Sequence, residues 1–290
     1  MKNYLFRMLW VCSTWLTVLG AFSSVAFAQS KTCDALSGEQ KLVVQEILKT
    51  SHAYDCCDKS LSQCLEKKPV CHLVRRLTDD ICRRVANGQN RADIERELER
   101  RATSMMPMGK SYVVDTKGAT PAGTPDARVM LTVYLCPRCP FCAKLIPGLY
   151  ESVTNGRLSG KVKLFARPFP VRTHPGSTEA GLGLVAAGQL GKFWEFLLQL
   201  YRDFDHFDPA HVEEIAVKAG LPRDKFAATM KTAETRQSLV EMKKEGVRNF
   251  VDSTPTFLIN GRKYVGEMTL LTLEDVLEEE YERVTGKTKE

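Results

Sequence analysis

Val129-Met130-Leu131-Thr132-Val133-Tyr134-Leu135 runs directly into Cys136-Pro137-Arg138-Cys139-Pro140-Phe141-Cys142, and the meaning of the whole chain turns on that junction. The first seven residues are apolar and rich in β-branched side chains, which reads as a buried strand. The residues after Cys142, Ala143-Lys144-Leu145-Ile146-Pro147-Gly148-Leu149-Tyr150, read as helix. A strand that delivers Cys-x-x-Cys to the first turn of a helix is a redox arrangement. The helix N-terminus supplies unpaired N–H groups and partial positive charge, and both favour a thiolate. A free thiol has a pKa of ~8.5, and such positions lower it to ~3.5–7.5. Cys139 is therefore expected to be the attacking sulfur and Cys142, one turn on and facing inward, the resolving thiol.

The chain has 290 residues, which as a prior suggests one or two domains. At 43% hydrophobic it carries enough apolar surface for a core, and its composition is not that of a disordered chain. Residues 1–28 read as a secretory signal peptide, with Lys2 and Arg7, an apolar run from Met8 to about Val25, and Ala26-Phe27-Ala28 as a small-x-small cleavage site. An uncleaved anchor is the competing reading. Ser13, Thr14, Thr17, Ser23 and Ser24 dilute the run, and no basic stop-transfer cluster follows. Loss of the leader lowers the net charge from +6 to +4, too little to suggest a nucleic-acid partner. Export, to the periplasm in a bacterium, puts the mature chain where disulfides persist.

Ten cysteines are present. Cys12 leaves with the leader, so nine remain, an odd number that leaves one thiol to explain. Six fall in residues 29–104, expected to be a small all-α, disulfide-rich domain. Ser37 with Gln40 forms a capping box ahead of Val43, Val44, Ile47 and Leu48, predicting a helix to about Tyr54. Ser60 to Glu66 predicts a short second helix, Cys71 to about Ala86 a third, and Asn90 caps a fourth. The charges from Arg91 to Arg101 read as a solvated face, and His72 as a surface histidine. Cys71 and Cys82 are separated by ~16 Å along one helix, whereas a disulfide spans ~4.4–6.8 Å between Cα atoms. Each must find a partner elsewhere. An antiparallel pairing of the first and third helices places Cys33 beside Cys82, and Cys56 and Cys57 beside Cys64 and Cys71, with the pairing among those four left open. A zinc site is the alternative, but the spacing lacks the C-x2–4-C knuckle.

Residues 105–126 read as a linker containing a possible leading strand over 110–115, with Gly118, Pro121, Gly123 and Pro125 marking loop. From 127 to 290 the order is strand, cysteine helix, a second strand at Val162–Ala166, a helical array to about Phe250, then Thr256–Ile259. Asn260-Gly261 is a two-residue hairpin signal, followed by a return strand and a terminal helix from Leu271 to about Arg283. The aromatic stripe Phe193, Trp194, Phe196, Tyr201 reads as core.

Three motifs taken together carry a resemblance: Val-Tyr-Leu-Cys-Pro-Arg-Cys-Pro-Phe-Cys-Ala-Lys at 133–144, Gly-Lys-Phe-Trp-Glu-Phe at 191–196, and Thr-Pro-Thr-Phe-Leu-Ile-Asn-Gly at 254–261. Residues 109–290 resemble the thioredoxin superfamily and, within it, the DsbA-type thiol–disulfide oxidoreductases. The resemblance implies an α/β thioredoxin-like fold with a helical insertion and disulfide exchange with protein thiols. It implies a membrane or soluble redox partner that resets the site, and neither metal nor cofactor. It further implies a cis bond at Thr254–Pro255 facing the sulfurs, where an incoming polypeptide is held. Cys136 departs from the pattern and is an auxiliary thiol; an acidic proton shuttle beneath the helix is not assignable. Two other readings compete. Cys136, Cys139 and Cys142 match the start of a ferredoxin C-x2-C-x2-C-x3-C-P run, with Ile146 in the fourth ligand position. Alternatively the chain is a non-enzymatic interaction module. The oligomeric state is not legible.

Overall fold

The computed structural model describes residues 31–106 and 109–287. The leader expected over 1–28, with Cys12, lies outside them. The chain enters through a one-turn helix α1 (Lys31–Asp34), then α2 (Gly38–Thr50), α3 (Leu61–Leu65), α4 (His72–Ala86) and α5 (Arg91–Met105). Ser37 and Gln40 form the expected capping box on α2, and the side chains of Ser60 and Asn90 cap α3 and α5. Helix α2 stops at Thr50 rather than Tyr54, because Ser51 turns extended and His52 bridges to Ser60. Three disulfides close this layer: Cys33–Cys82, Cys56–Cys71 and Cys57–Cys64. With Val44, Ile47, Leu61, Val74, Leu77, Ile81 and Ile94 they form one apolar cluster.

The rest of the chain builds a five-stranded sheet of order β1-β3-β2-β4-β5. Its strands are β1 (Ala122–Gly123), β2 (Val129–Leu135), β3 (Val162–Pro168), β4 (Thr256–Ile259) and β5 (Arg262–Tyr264). Strand β2 is central and parallel to β3, and the other pairings are antiparallel. Six of its seven residues are buried, which is why its sequence is a continuous apolar run rather than an alternation. Helix α6 (Pro140–Thr154) follows β2 and packs on one face with the terminal α12 (Leu270–Thr285). Between β3 and β4 lies the helical insertion: α7 (Ser177–Gln189), α8 (Phe193–Arg202), two 3-10 turns, α9 (Val212–Lys218), α10 (Arg223–Met230) and α11 (Ala233–Arg248). Pro209 opens one of those turns, and Val212 starts the helix proper.

Two expectations for the 105–126 stretch are corrected. Residues 110–115 form no strand; Ser111 makes an isolated bridge to Arg262, and the Tyr112 N–H donates to the Gly261 carbonyl at 2.7 Å. The segment crosses the tip of the β4–β5 hairpin so closely that a Cβ on Gly261 would stand 2.7 Å from the Ser111 hydroxyl. The leading strand is instead Ala122–Gly123. Gly123 adopts φ +82°, and a Cβ there would meet the Val162 and Val153 carbonyls at 2.7 and 2.9 Å. What reads as loop glycine is required by the close approach of this edge to β3 and α6.

One charge of the Arg91–Arg101 run departs from expectation, while His72 stays half-exposed at the surface. Arg101 is not solvated: it is 2% exposed, 2.5 Å from Glu279 of α12 and 3.3 Å from Asp80 of α4. Tyr54 donates its hydroxyl to the same Glu279. His72 pairs with Glu282 at 3.1 Å, Arg76 with Glu282 at 2.6 Å, Arg83 with Asp275 at 3.1 Å and Arg84 with Glu267 at 2.7 Å. Arg76 and Arg83 of α4 and Arg101 of α5 thus meet the acidic face of α12, whereas Arg91, Arg96 and Arg100 stay exposed in local pairs, as expected. Arg101→Ala leaves Glu279 buried without its paired cation, while Asp80 keeps Arg83 and Arg84, and should cost about 3–5 kcal/mol in urea unfolding. Arg91→Ala, which removes an exposed pair with Glu95, should cost less than about 1 kcal/mol in the same assay.

Candidate active site

The ends of β2, α6 and the loop before β4 converge on the cysteines. Cys139 is the N-cap of α6 and Pro140 its first residue, a position where the missing N–H of proline costs nothing. The Cys139 N–H donates to the Cys136 carbonyl at 3.1 Å, closing a turn over Pro137 and Arg138. Opposite, the Thr254–Pro255 bond is cis. The Cys139 thiol donates to the Thr254 carbonyl at 3.2 Å. The β2–β4 ladder ends at the pair Tyr134–Thr256, so Thr254 lies beyond the sheet and beside the sulfur. Cys136, Cys139 and Cys142 are free thiols and all three are buried, whereas Phe141 between them is 71% exposed.

Each thiol has its own electrostatic setting. The Cys139 thiol is pulled down to about 5, first by a hydrogen bond from the Cys142 thiol. Burial opposes this, and the Cys142 N–H, the Thr254 side chain and the Phe141 N–H add to it. The Cys142 thiol is pushed well up by burial and by its role as donor to Cys139. The pair is thereby polarised, with the anion on the N-terminal sulfur and the proton on the inner one. Cys136 is pushed up by burial as well, against the N–H groups of Val171 and Arg138 that face it. Its sulfur lies 3.2 Å from His174 Nδ1.

Arg138, next to Cys139 in sequence, turns its charge away from the thiol. Its guanidinium donates to the Phe204 carbonyl at 2.5 Å and stacks over the rings of Phe204 and Phe207 at 4.3 and 4.6 Å. Two residues escaped the reading of the sequence. Tyr201, counted only as core, is buried against all three sulfurs, with burial and the neighbouring Cys142 pushing its phenol well up. His174 sits in an irregular loop with no motif around it; its one signal is a histidine between two turn formers, Thr173 and Pro175. Among the described residues, the six other cysteines lie in the helical layer, bonded to one another and apart from this site.

Comparison with known proteins bears on the same part of the chain. The family model described as thioredoxin matches residues 115–279. A Na(+)/H(+) antiporter NhaA 1 of Mycobacterium sp. (strain KMS) is 28% identical over 178 residues, 59% of this chain and 28% of its own length. A Na(+)/H(+) antiporter NhaA of Herminiimonas arsenicoxydans is 24% identical over 176 residues, 61% of this chain and again 28% of its own. The chain thus spans little more than a quarter of these curated relatives. Among solved structures, BdbD of Bacillus subtilis in its oxidised form superposes with a TM-score of 0.51 at 17% identity, covering 60% of this chain and 98% of its own. The thiol-disulfide exchange protein α-DsbA2 of Wolbachia pipientis gives 0.50 at 17% identity, covering 63% and 94%. At such identities the likeness is one of fold.

A thiolate is the reactive form and exists above the pKa. Alkylation of reduced Cys139 by iodoacetamide, followed by peptide mass mapping, should therefore fall to half its plateau rate as pH drops through about 5. Cys142 in the same sample should stay unmodified up to pH values above those at which ordinary cysteines react.

Proposed function

The chain belongs to the thioredoxin family, and on that premise we propose that it is an exported thiol–disulfide oxidoreductase acting on protein thiols or disulfides through Cys139 and Cys142. The observation that carries this reading is the polarised sulfur pair. Cys139 is the N-cap of α6, its sulfur lies 3.2 Å from the Thr254 carbonyl at a cis proline, and the Cys142 thiol draws its pKa down. Such a sulfur attacks a substrate disulfide, and the substrate thiolate leaves. Cys142 then attacks Cys139 in the mixed disulfide, closing Cys139–Cys142 and releasing the second substrate sulfur. The reverse sequence passes the disulfide to a dithiol. Which way the protein runs depends on its reduction potential and on a membrane or soluble partner that resets the pair.

Thr254 and Pro255 are assigned to substrate binding. Their backbone lies past the end of the ladder and next to Cys139, so an extended segment has main-chain groups to bond while its cysteine reaches the sulfur. Phe141, exposed at the mouth, offers apolar surface to an unfolded client. In this reading residues 1–28 are a leader that sends the chain to the periplasm, 29–104 a disulfide-stapled helical domain, and 127–290 the redox domain. The intervening 105–126 carry the first strand. The three disulfides of the helical layer fit an oxidising compartment.

Cys139→Ser should reduce insulin reduction by dithiothreitol, and oxidation of a dithiol peptide, to the uncatalysed rates while leaving thermal unfolding unchanged. Wild-type turnover by that variant would overturn the assignment.

A further inference from the structure

A third sulfur stands within reach of Cys139. The hydrogen-bonded turn from Cys136 to Cys139 holds their Cα atoms within about 7 Å of one another. That is close to the ~4.4–6.8 Å a disulfide spans. The spacing is the same Cys-x-x-Cys that joins Cys139 to Cys142. A bare buried cysteine in such a place would be inert, but Cys136 has an imidazole on it. His174 Nδ1 lies 3.2 Å from the sulfur, the separation expected of a nucleophile and its base. The loop that carries His174 is pinned: its N–H donates to the Val171 carbonyl at 3.0 Å, and Ser177 Oγ donates to the same carbonyl at 2.8 Å.

We propose that Cys136 is a second resolving nucleophile for Cys139, with His174 accepting its proton, so that one disulfide moves among three sulfurs. The proposal rests on Cys139 being the sulfur that carries the mixed disulfide. In the step, the Cys136 sulfur attacks Cys139; the Cys136–Cys139 bond forms as the bond from Cys139 to the substrate sulfur breaks. The substrate leaves as a thiolate and is protonated by the proton His174 received. The two electrons that reduce the substrate disulfide come from Cys136 and Cys139. The same attack on an existing Cys139–Cys142 bond expels Cys142 and changes no oxidation state.

The surroundings fit a thiol that waits rather than one that competes at rest. Burial keeps Cys136 protonated, so without its base it does not challenge the adjacent Cys142. The N–H groups of Val171 and Arg138, and the Lys243 ammonium, face the sulfur and favour its anion once the proton has moved. A second route of escape from the mixed disulfide suits clients that are slow to leave, because a stalled adduct is cleared without waiting for Cys142.

The test uses the full mature chain, reduced, with oxidised glutathione as probe and intact-mass and peptide mapping as readouts. In Cys142→Ser, a glutathione adduct should form on Cys139 and then disappear as a Cys136–Cys139 disulfide appears. In Cys136→Ser/Cys142→Ser the adduct should form at the same rate and persist at least about tenfold longer. Cys136→Ala/Cys142→Ser, measured alongside, guards against a serine that the buried site does not accept. His174→Gln/Cys142→Ser should form the adduct normally and clear it about a hundredfold more slowly. Equal adduct lifetimes with and without Cys136 would overturn the second-nucleophile proposal and leave the exchange reading intact. No adduct on Cys139 in any variant would remove both.

Discussion

A sulfur anion inside a protein survives only where donors surround it and no better acid than its neighbour can protonate it. Cys139 meets that condition because three separate elements end at one point. Strand β2 delivers it, the first turn of α6 turns N–H groups toward it, and the loop before β4 brings the Thr254 side chain up to it. Removing any of these leaves a thiol like any other. The burial of β2 on both faces is what makes the convergence rigid. Its neighbours β3 and β4 fix its direction, and α6 cannot swing without opening the apolar layer formed by Leu145, Ile146, Leu149 and Val153.

The helical layer is attached by a different force. Its own apolar core is closed by disulfides and touches the cluster beneath the sheet only where Met105 of α5 enters that cluster and Tyr54 packs against both. Around that contact the two are joined by arginines on α4 and α5 against carboxylates on α12, with Arg101, Glu279 and Asp80 fully enclosed. Burial pushes the Glu279 carboxyl up and the nearby Arg101 guanidinium pulls it back, so the contact is stable only while both partners are present. Charge pairs of this kind specify a docking angle more sharply than apolar contact would. The same helix α12 receives Arg157 and Lys161, from the turn that follows α6, through Glu278. The helical layer is therefore mechanically continuous with the far end of the cysteine helix, while the sulfurs at the near end stay clear of it.

Much of this was legible before any coordinates. The apolar β-branched run, the paired cysteines, Pro140, the Ser37–Gln40 box and the Asn260-Gly261 turn each act over a few residues, and local chemistry settled their form. The Cys33–Cys82 bond followed from helix geometry once the first and third helices were taken as antiparallel. The larger failures were at long range. Arg101 looked solvated because its acidic partners Glu279 and Asp80 lie on other helices, and Gly123 looked like loop because the carbonyls it must avoid belong to Val153 and Val162. Tyr201 was read as core, correctly as to burial, but nothing in its helix indicated that three sulfurs would surround it.

What the amino-acid order determined by itself, then, was which residues are strand or helix and which sulfur sits at a helix start, since both depend on periodicity and on backbone donors within a turn. What tertiary structure alone decided was the company each side chain keeps: His174 on Cys136, Thr254 on Cys139, Glu279 on Arg101. A charge or a proton responds to what stands within a few ångströms of it, and only the folded chain brings residues 38, 115 and 178 positions apart to that distance.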